Sequence, residues 1–294
     1  MISKSKQEYD AFGPWVYEIK GEHTMPPLFV KHYKEEEQPL MLIKIPRRID
    51  RRDATPGMDL YDYVIGAFET RLHIFKRVRD GVEEKEVSYG NVVAIKNTIS
   101  MLKGLLLLYM NDETVTIEYN TVSEPIMMRL IDIIRDKYNT REKVLEIEPL
   151  SHEIDVVGHL YSAKIDRYIA SDNKIRLVAY QPASKYVPYF NNLKEMIKAL
   201  PIISKVITNT AFLTNDTELI VLQRDNRIRR KKQGDITYSS LYLPYSSIKK
   251  VIKTDKIKRN KLYMLNISVP NQTFSFLYGD NSLQVDALYS ALKE

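Results

Sequence analysis

One phrase occurs twice in this chain, and it restricts the fold more than any other feature. Residues 243–251 read Leu-Pro-Tyr-Ser-Ser-Ile-Lys-Lys-Val, and residues 87–95 read Val-Ser-Tyr-Gly-Asn-Val-Val-Ala-Ile. Each has a tyrosine followed at two three-residue intervals by β-branched residues. The residues downstream of each copy also run in parallel. Leu262 to Ile267 answer Leu105 to Met110, and Phe274, Phe276 and Tyr278 answer Val115, Ile117 and Tyr119. Upstream, Leu219, Val221 and Leu222 answer Leu72, Ile74 and Phe75. Element order repeated at matched spacing implies two copies of one structural unit. Two copies predict two similar domains rather than a solenoid.

The elements follow from periodicity. Strict alternation at Thr114 to Tyr119 predicts a strand, and Asn111-Asp112-Glu113 predicts the turn before it. Residues 40–45 (ending before Pro46), 61–68, 72–78 and 87–95 read as further strands, with Arg79-Asp80-Gly81 as a hairpin. Ser123 is the expected N-cap of a helix running to about Tyr138, with Pro125 in its first turn and Ile126, Leu130, Ile133 and Ile134 as its buried stripe. Ser282 holds the same place before a helix bearing Val285, Tyr289 and Leu292. Helical spacing of Val157, Leu160, Tyr161, Ile165, Tyr168 and Ile169 predicts a connector helix at 154–170. The domain plan is an N-terminal extension at 1–37, with Trp15 packed on the first domain, a first domain at 38–146, a connector at 147–173 and a second domain at 174–294. The second domain carries a helical insertion at about 190–205. The fold class is α+β, mainly antiparallel β.

Two phrases resemble those of bacterial pleckstrin-homology (PH) domains. Phe212-Leu213-Thr214 followed by Glu218-Leu219-Ile220-Val221 is similar to their first-strand phrase, and Leu243-Pro244-Tyr245-Ser246-Ser247-Ile248 to their later aliphatic-Pro-Tyr phrase. The first copy departs from both, with Ser88 for the proline, Val92 for the isoleucine and Glu69 where Leu213 stands. The copies span roughly 40–138 and 174–294. The resemblance implies two PH-like curved sheets or barrels, each closed by a C-terminal helix, and a binding role toward lipids, peptides or protein domains. It carries over no catalytic residue.

Composition narrows the chemistry. With no cysteine, the chain has no disulfide, thiolate metal site or thiol nucleophile. The five histidines, His23, His32, His73, His152 and His159, form no HExxH pattern, so no metal is expected. Ten glycines, with no GxGxxG, GxxxxGK[ST] or GxSxG, leave no phosphate-cradling or nucleophile-elbow loop. No cofactor and no enzyme activity are expected, the remote alternative being chemistry on the Asp- and Arg-rich loop at 47–62. The longest apolar run, 104–110, falls far short of the ~20 residues of a membrane helix. Residues 1–7 lack the apolar core of a secretory signal. A cytoplasmic protein, at most peripheral to a membrane, is expected.

Charge points to a partner. The net charge is +6, and from Ala211 onward 14 Lys and Arg face 8 Asp and Glu, which accounts for all of it. Arg224, Arg227, Arg229, Arg230, Lys231 and Lys232 crowd into one stretch, with Lys249 and Lys250 downstream. Converging cations hold phosphate or carboxylate groups, and basic residues of an early hairpin hold the headgroup in phosphoinositide-binding PH domains. The bland reading is a solvated basic edge. Arg47, Arg48, Arg51 and Arg52 form a second candidate loop, with local ion pairing to Asp50 and Asp53 as its bland reading. The expected role is a non-catalytic binding module for an anionic membrane surface or a protein. Self-association through sheet edges and the aromatic connector (Tyr161, Tyr168, Tyr180, Tyr186, Tyr189, Phe190) is the alternative. Nucleic acid ranks below both, since no aromatic–basic RNP phrase is present.

Overall fold

A computed structural model describes residues 9–34, 37–138, 143–150, 159–185, 205–224, 228–230, 237–257 and 262–293. In chain order the strands begin with β1 (Tyr17–Glu18), β2 (Met41–Pro46), β3 (Tyr61–Ala67), β4 (Arg71–Val78) and β5 (Gly81–Ser88). β6 (Val92–Ser100), β7 (Lys103–Met110), β8 (Thr114–Asn120) and helix α1 (Glu124–Tyr138) complete the first copy. Helix α2 (His159–Ser171) leads to β9 (Arg176–Gln181), β10 (Ser184–Lys185), β11 (Lys205–Ile207), β12 (Thr210–Thr214), β13 (Glu218–Arg224) and β14 (Ile228–Arg230). β15 (Thr237–Pro244), β16 (Lys250–Ile257), β17 (Leu262–Val269), β18 (Gln272–Gly279) and helix α3 (Val285–Lys293) close the second. The class is α+β with mainly antiparallel strands. The expected closure into barrels is not found: every sheet of the described residues is open.

Packing divides the chain into two compact units, one of residues 1–92, 101–106 and 116–139, the other of 93–100, 107–115 and 140–294. In the first, β1 to β5 form an antiparallel sheet in chain order. The register Val78↔Gly81 leaves a two-residue loop, and Gly81 takes φ 144°, which a side chain would resist. Phe12, Phe29, Tyr61, Val64 and Phe75 cluster on this sheet. α1 buries Met127, Leu130, Ile131, Ile134 and Tyr138. The stripe is therefore displaced from the expected one, and Ile126 and Ile133 are only half-buried. The reason is the entry. Ser123 belongs to a 3-10 turn (Thr121–Ser123) whose cap is Asn120, which accepts from Val122 N at 3.1 Å. Ser123 Oγ instead accepts from Val16 N at 2.7 Å. Trp15, expected to pack down, is 45% exposed.

In the second unit the strand order β6-β15-β13-β12-β9 is antiparallel throughout. Leu219, Val221, Leu241 and Leu243 face Leu265, Ile267 and Phe276 of the β16-β17-β18 sheet, and Phe212 meets Phe276 edge-on at 5.4 Å between ring centres. α3 adds Val285, Leu288 and Leu292. Each such side chain contributes about 1.5–3 kcal/mol on burial, which makes this the main stabilising cluster of the unit. Tyr161 and Tyr168 tie α2 down: Tyr161 Oη donates to Asn209 O at 2.9 Å, and Tyr168 Oη donates to Ser240 Oγ at 2.9 Å. Tyr186, Tyr189, Phe190, His152 and the helix expected at 190–205 fall outside the described residues, up to Lys205, which begins β11.

The twin phrase is not a continuous strand, as expected from its spacing, but a corner. Ser88 (φ −65°, ψ 132°) and Pro244 (φ −61°, ψ 135°) each end an eight-residue strand. One 3-10 turn comes next, Tyr89–Asn91 or Tyr245–Ser247, and then β6 or β16. Three-residue spacing fits a 3-10 turn as well as a strand sequence does, which explains the difference. The tyrosines serve alike. Tyr89 N donates to Thr70 O at 3.1 Å and Tyr245 N to Thr217 O at 3.0 Å. Tyr89 Oη donates to Phe68 O at 2.9 Å, and Tyr245 Oη bonds Thr214 Oγ1. Burial pushes both phenols well above their ordinary pKa.

Candidate functional site: a lysine-lined cleft

The second corner opens a cleft. Ile248 turns the chain out of the 3-10 turn, and Lys249 N donates to Ser268 O at 2.8 Å, so Lys249 and Lys250 stand side by side where β16 starts. α3 packs over β16 and brings Leu292 and Lys293 to the same place. Lys143 arrives from the stretch 143–150, held by its N–H on Asp216 O at 2.7 Å. The result is a cleft of about 430 Å³, lined by Lys143, Lys249, Lys250 and Lys293 over Tyr245, Ile248, Val251 and Leu292. No carboxylate lines it among the described residues.

An anion entering over this partly apolar floor would meet lysines and no carboxylate among the described residues. The floor is well held, since Tyr245, Val251 and Leu292 are buried. The next cation along, Lys253, is diverted: its Nζ lies 2.7 Å from Asp286 Oδ1 and 4.3 Å above the Tyr263 ring. Lys293 has a second role, since a cation in the last turn of α3 offsets the negative end of the helix dipole.

The first unit has a cleft of about 310 Å³ with a different balance, lined by Lys31, Lys34, Arg71, His32 and His73 but also by Glu37, Glu84 and Glu86. Arg71 lies 3.3 Å from Glu37 and 3.5 Å from Glu86, and His32 lies 2.6 Å from Glu84. Three carboxylates stand among its cations, so it offers an anion little. No group of His, Cys, Asp or Glu among the described residues could hold a metal ion.

The residues singled out from sequence are dispersed. Lys249 and Lys250 enter the cleft. Arg224 lies with its guanidinium 5.9 Å from the Tyr161 ring centre. β14 carries Arg229 and Arg230 away from the β13–β15 pair, to run beside β11 in a small β10-β11-β14 sheet. Arg227, Lys231 and Lys232 lie outside the described residues. In the second candidate loop, Arg47 donates to Asp59 O at 2.8 Å, Arg48 pairs with Glu118 at 2.9 Å and Arg52 with Asp50 at 2.9 Å. Arg51 donates to Phe12 O at 2.7 Å and covers the Tyr9 ring. These four point to four separate partners. Lys143 and Lys293 escaped sequence reasoning because each stands beside an acid, Glu142 or Glu294, and belongs to no basic run; only the position of Lys293 in the last turn of a predicted helix marked it at all. No helix among the described residues is long and apolar enough to cross a membrane. A scan against protein-family models finds no match to this chain, and a search of curated proteins finds no significant relative.

Proposed function

We propose that this chain is a non-catalytic binding module of two PH-like repeats, and that the lysine cleft of the second holds an anionic headgroup at a membrane surface. The observation that carries the reading is the set of four lysines, Lys143, Lys249, Lys250 and Lys293, lining one cleft with no acidic lining residue among the described residues. In both copies a tyrosine corner is followed by three strands and a helix, and this repeated order supports the PH-like part of the reading. The basic excess after Ala211 adds a long-range field that draws the same half toward an anionic bilayer. A cytoplasmic, peripherally bound protein fits this role.

The test is sedimentation with vesicles. Phosphatidylserine-containing vesicles should carry the protein down at low salt, and neutral phosphatidylcholine vesicles should leave it in solution. Binding should weaken steeply as salt rises. No co-sedimentation with anionic vesicles at low salt would sink the proposal.

A further inference from the structure

The chain already makes one strand-to-strand joint between its two copies. β6, which follows the first tyrosine corner, pairs antiparallel with β15, which precedes the second, from Ser100↔Thr237 to Ile95↔Tyr242. Thr237 Oγ1 donates to Ser100 Oγ across it at 2.9 Å. Each of these strands has a counterpart in the other copy. β5 precedes the first corner as β15 precedes the second, and β16 follows the second corner as β6 follows the first. Both counterparts end their sheets: β5 closes the order β1-β2-β3-β4-β5, and β16 opens β16-β17-β18. Among the described residues no strand lies on the outer edge of either. The segment at 27–34 packs its Phe29 and Tyr33 on the face carrying Val82 and Phe75, and no backbone hydrogen bond joins it to β5 among the described residues.

The two edges are opposite in charge. β5 exposes Glu83, Glu84 and Glu86 around a single Lys85, while residues 249–254 hold Lys249, Lys250 and Lys253 and no acid. Charges on an edge strand ordinarily prevent pairing with another chain. Here they oppose β5 meeting β5 and β16 meeting β16, but favour β5 meeting β16. The register of the existing joint supplies the register of the missing one. Ser240↔Asn97 becomes Glu84↔Lys253, an opposite-charge pair directly across the strands, and Ser239↔Thr98 becomes Glu83↔Thr254. Glu84 now lies beside His32 and Lys253 beside Asp286, so the joint exchanges ion pairs within the chain for one between chains.

We infer that this chain associates head to tail with further copies of itself, β16 of one copy adding antiparallel to β5 of the next. Such a contact is heterologous: each copy keeps one unused edge, so growth continues to a ring or a filament.

The absence of cysteine makes the register directly testable. Glu83→Cys and Thr254→Cys, both at exposed positions, are purified separately, mixed in equal amounts and mildly oxidised. The mixture should give a covalent dimer that neither variant forms alone, and the doubly substituted chain should give a ladder. In light scattering the unmodified protein should gain mass with concentration, and Glu84→Lys should weaken association about fivefold, the scale of a reversed cross-strand charge pair. The inference is overturned if the folded variants cross-link no better mixed than alone, if Glu83→Cys alone links as well as the mixture, or if the unmodified protein stays monomeric at every concentration. None of these substitutions removes a lysine of the cleft, so a loss of association in the variants is read apart from a loss of vesicle binding.

Discussion

Replacing Gly104 by alanine tests how tightly the first copy is packed. A Cβ on Gly104 would overlap three carbons of the Tyr119 ring, well inside van der Waals contact. The ring cannot give way easily, because Tyr119 is 2% exposed. The second copy shows what the glycine replaces: opposite Tyr278, the counterpart of Tyr119, stands Tyr263, two residues along from the sequence match, and the two rings lie 5.4 Å apart. Overpacking of this kind costs about 1–3 kcal/mol, while exchanging glycine for alanine in a strand returns roughly 0.5–1 kcal/mol. The net expectation for Gly104→Ala is a loss of about 1–2 kcal/mol, read in urea as a lower midpoint at unchanged slope. Combining it with Tyr119→Leu should cost less than the two losses added, since the smaller side chain frees the space the Cβ needs. A Gly104→Ala protein as stable as the parent would refute the reasoning.

Three further outcomes rest on named contacts. Tyr89→Phe and Tyr245→Phe should each lower unfolding free energy by about 0.5–1.5 kcal/mol, the worth of one hydrogen bond, in chemical denaturation. Gln181→Met should cost about 1–3 kcal/mol in the same assay, because buried Gln181 accepts from Gly279 N at 2.8 Å and its loss leaves that amide unmet. Burial alone would raise the Asp286 carboxyl, but hydrogen bonds from Lys253 and Tyr278 hold it below the usual carboxylate range. A depressed carboxylate stabilises the fold above its unfolded pKa and loses that contribution as pH falls through the folded value. Asp286→Asn should therefore be less stable at neutral pH, by under about 1 kcal/mol for so exposed a pair, and should converge with the parent in thermal melts near pH 2.

The repeat was legible because alternation survives in its hairpins: Val115, Ile117 and Tyr119 are buried as their spacing requires. The corners were not, since Tyr89 and Tyr245 sit at a spacing common to strands and 3-10 turns. The α1 stripe was misplaced because Asn120 begins a turn ahead of the helix, and a capping serine and a buried serine look alike in sequence. Pairing of β6 with β15 joins residues far apart in the chain, and each strand reads simply as a central, twice-buried strand. Half of the lysine cleft was legible as the Lys249–Lys250 pair. Lys143 and Lys293 join it only through the backbone bond to Asp216 and the packing of α3, neither of which leaves a local pattern.

The most direct measurement compares vesicle partitioning of two variants that each remove two positive charges. Lys249→Ala with Lys250→Ala takes them from the cleft, and Arg48→Ala with Arg52→Ala takes them from the paired loop. Each lysine near an anionic surface is worth about 1 kcal/mol, so the cleft variant should bind about 30-fold more weakly, and the loop variant should stay close to the parent. Equal losses in the two variants would contradict a specific lysine site and reduce the interaction to net charge.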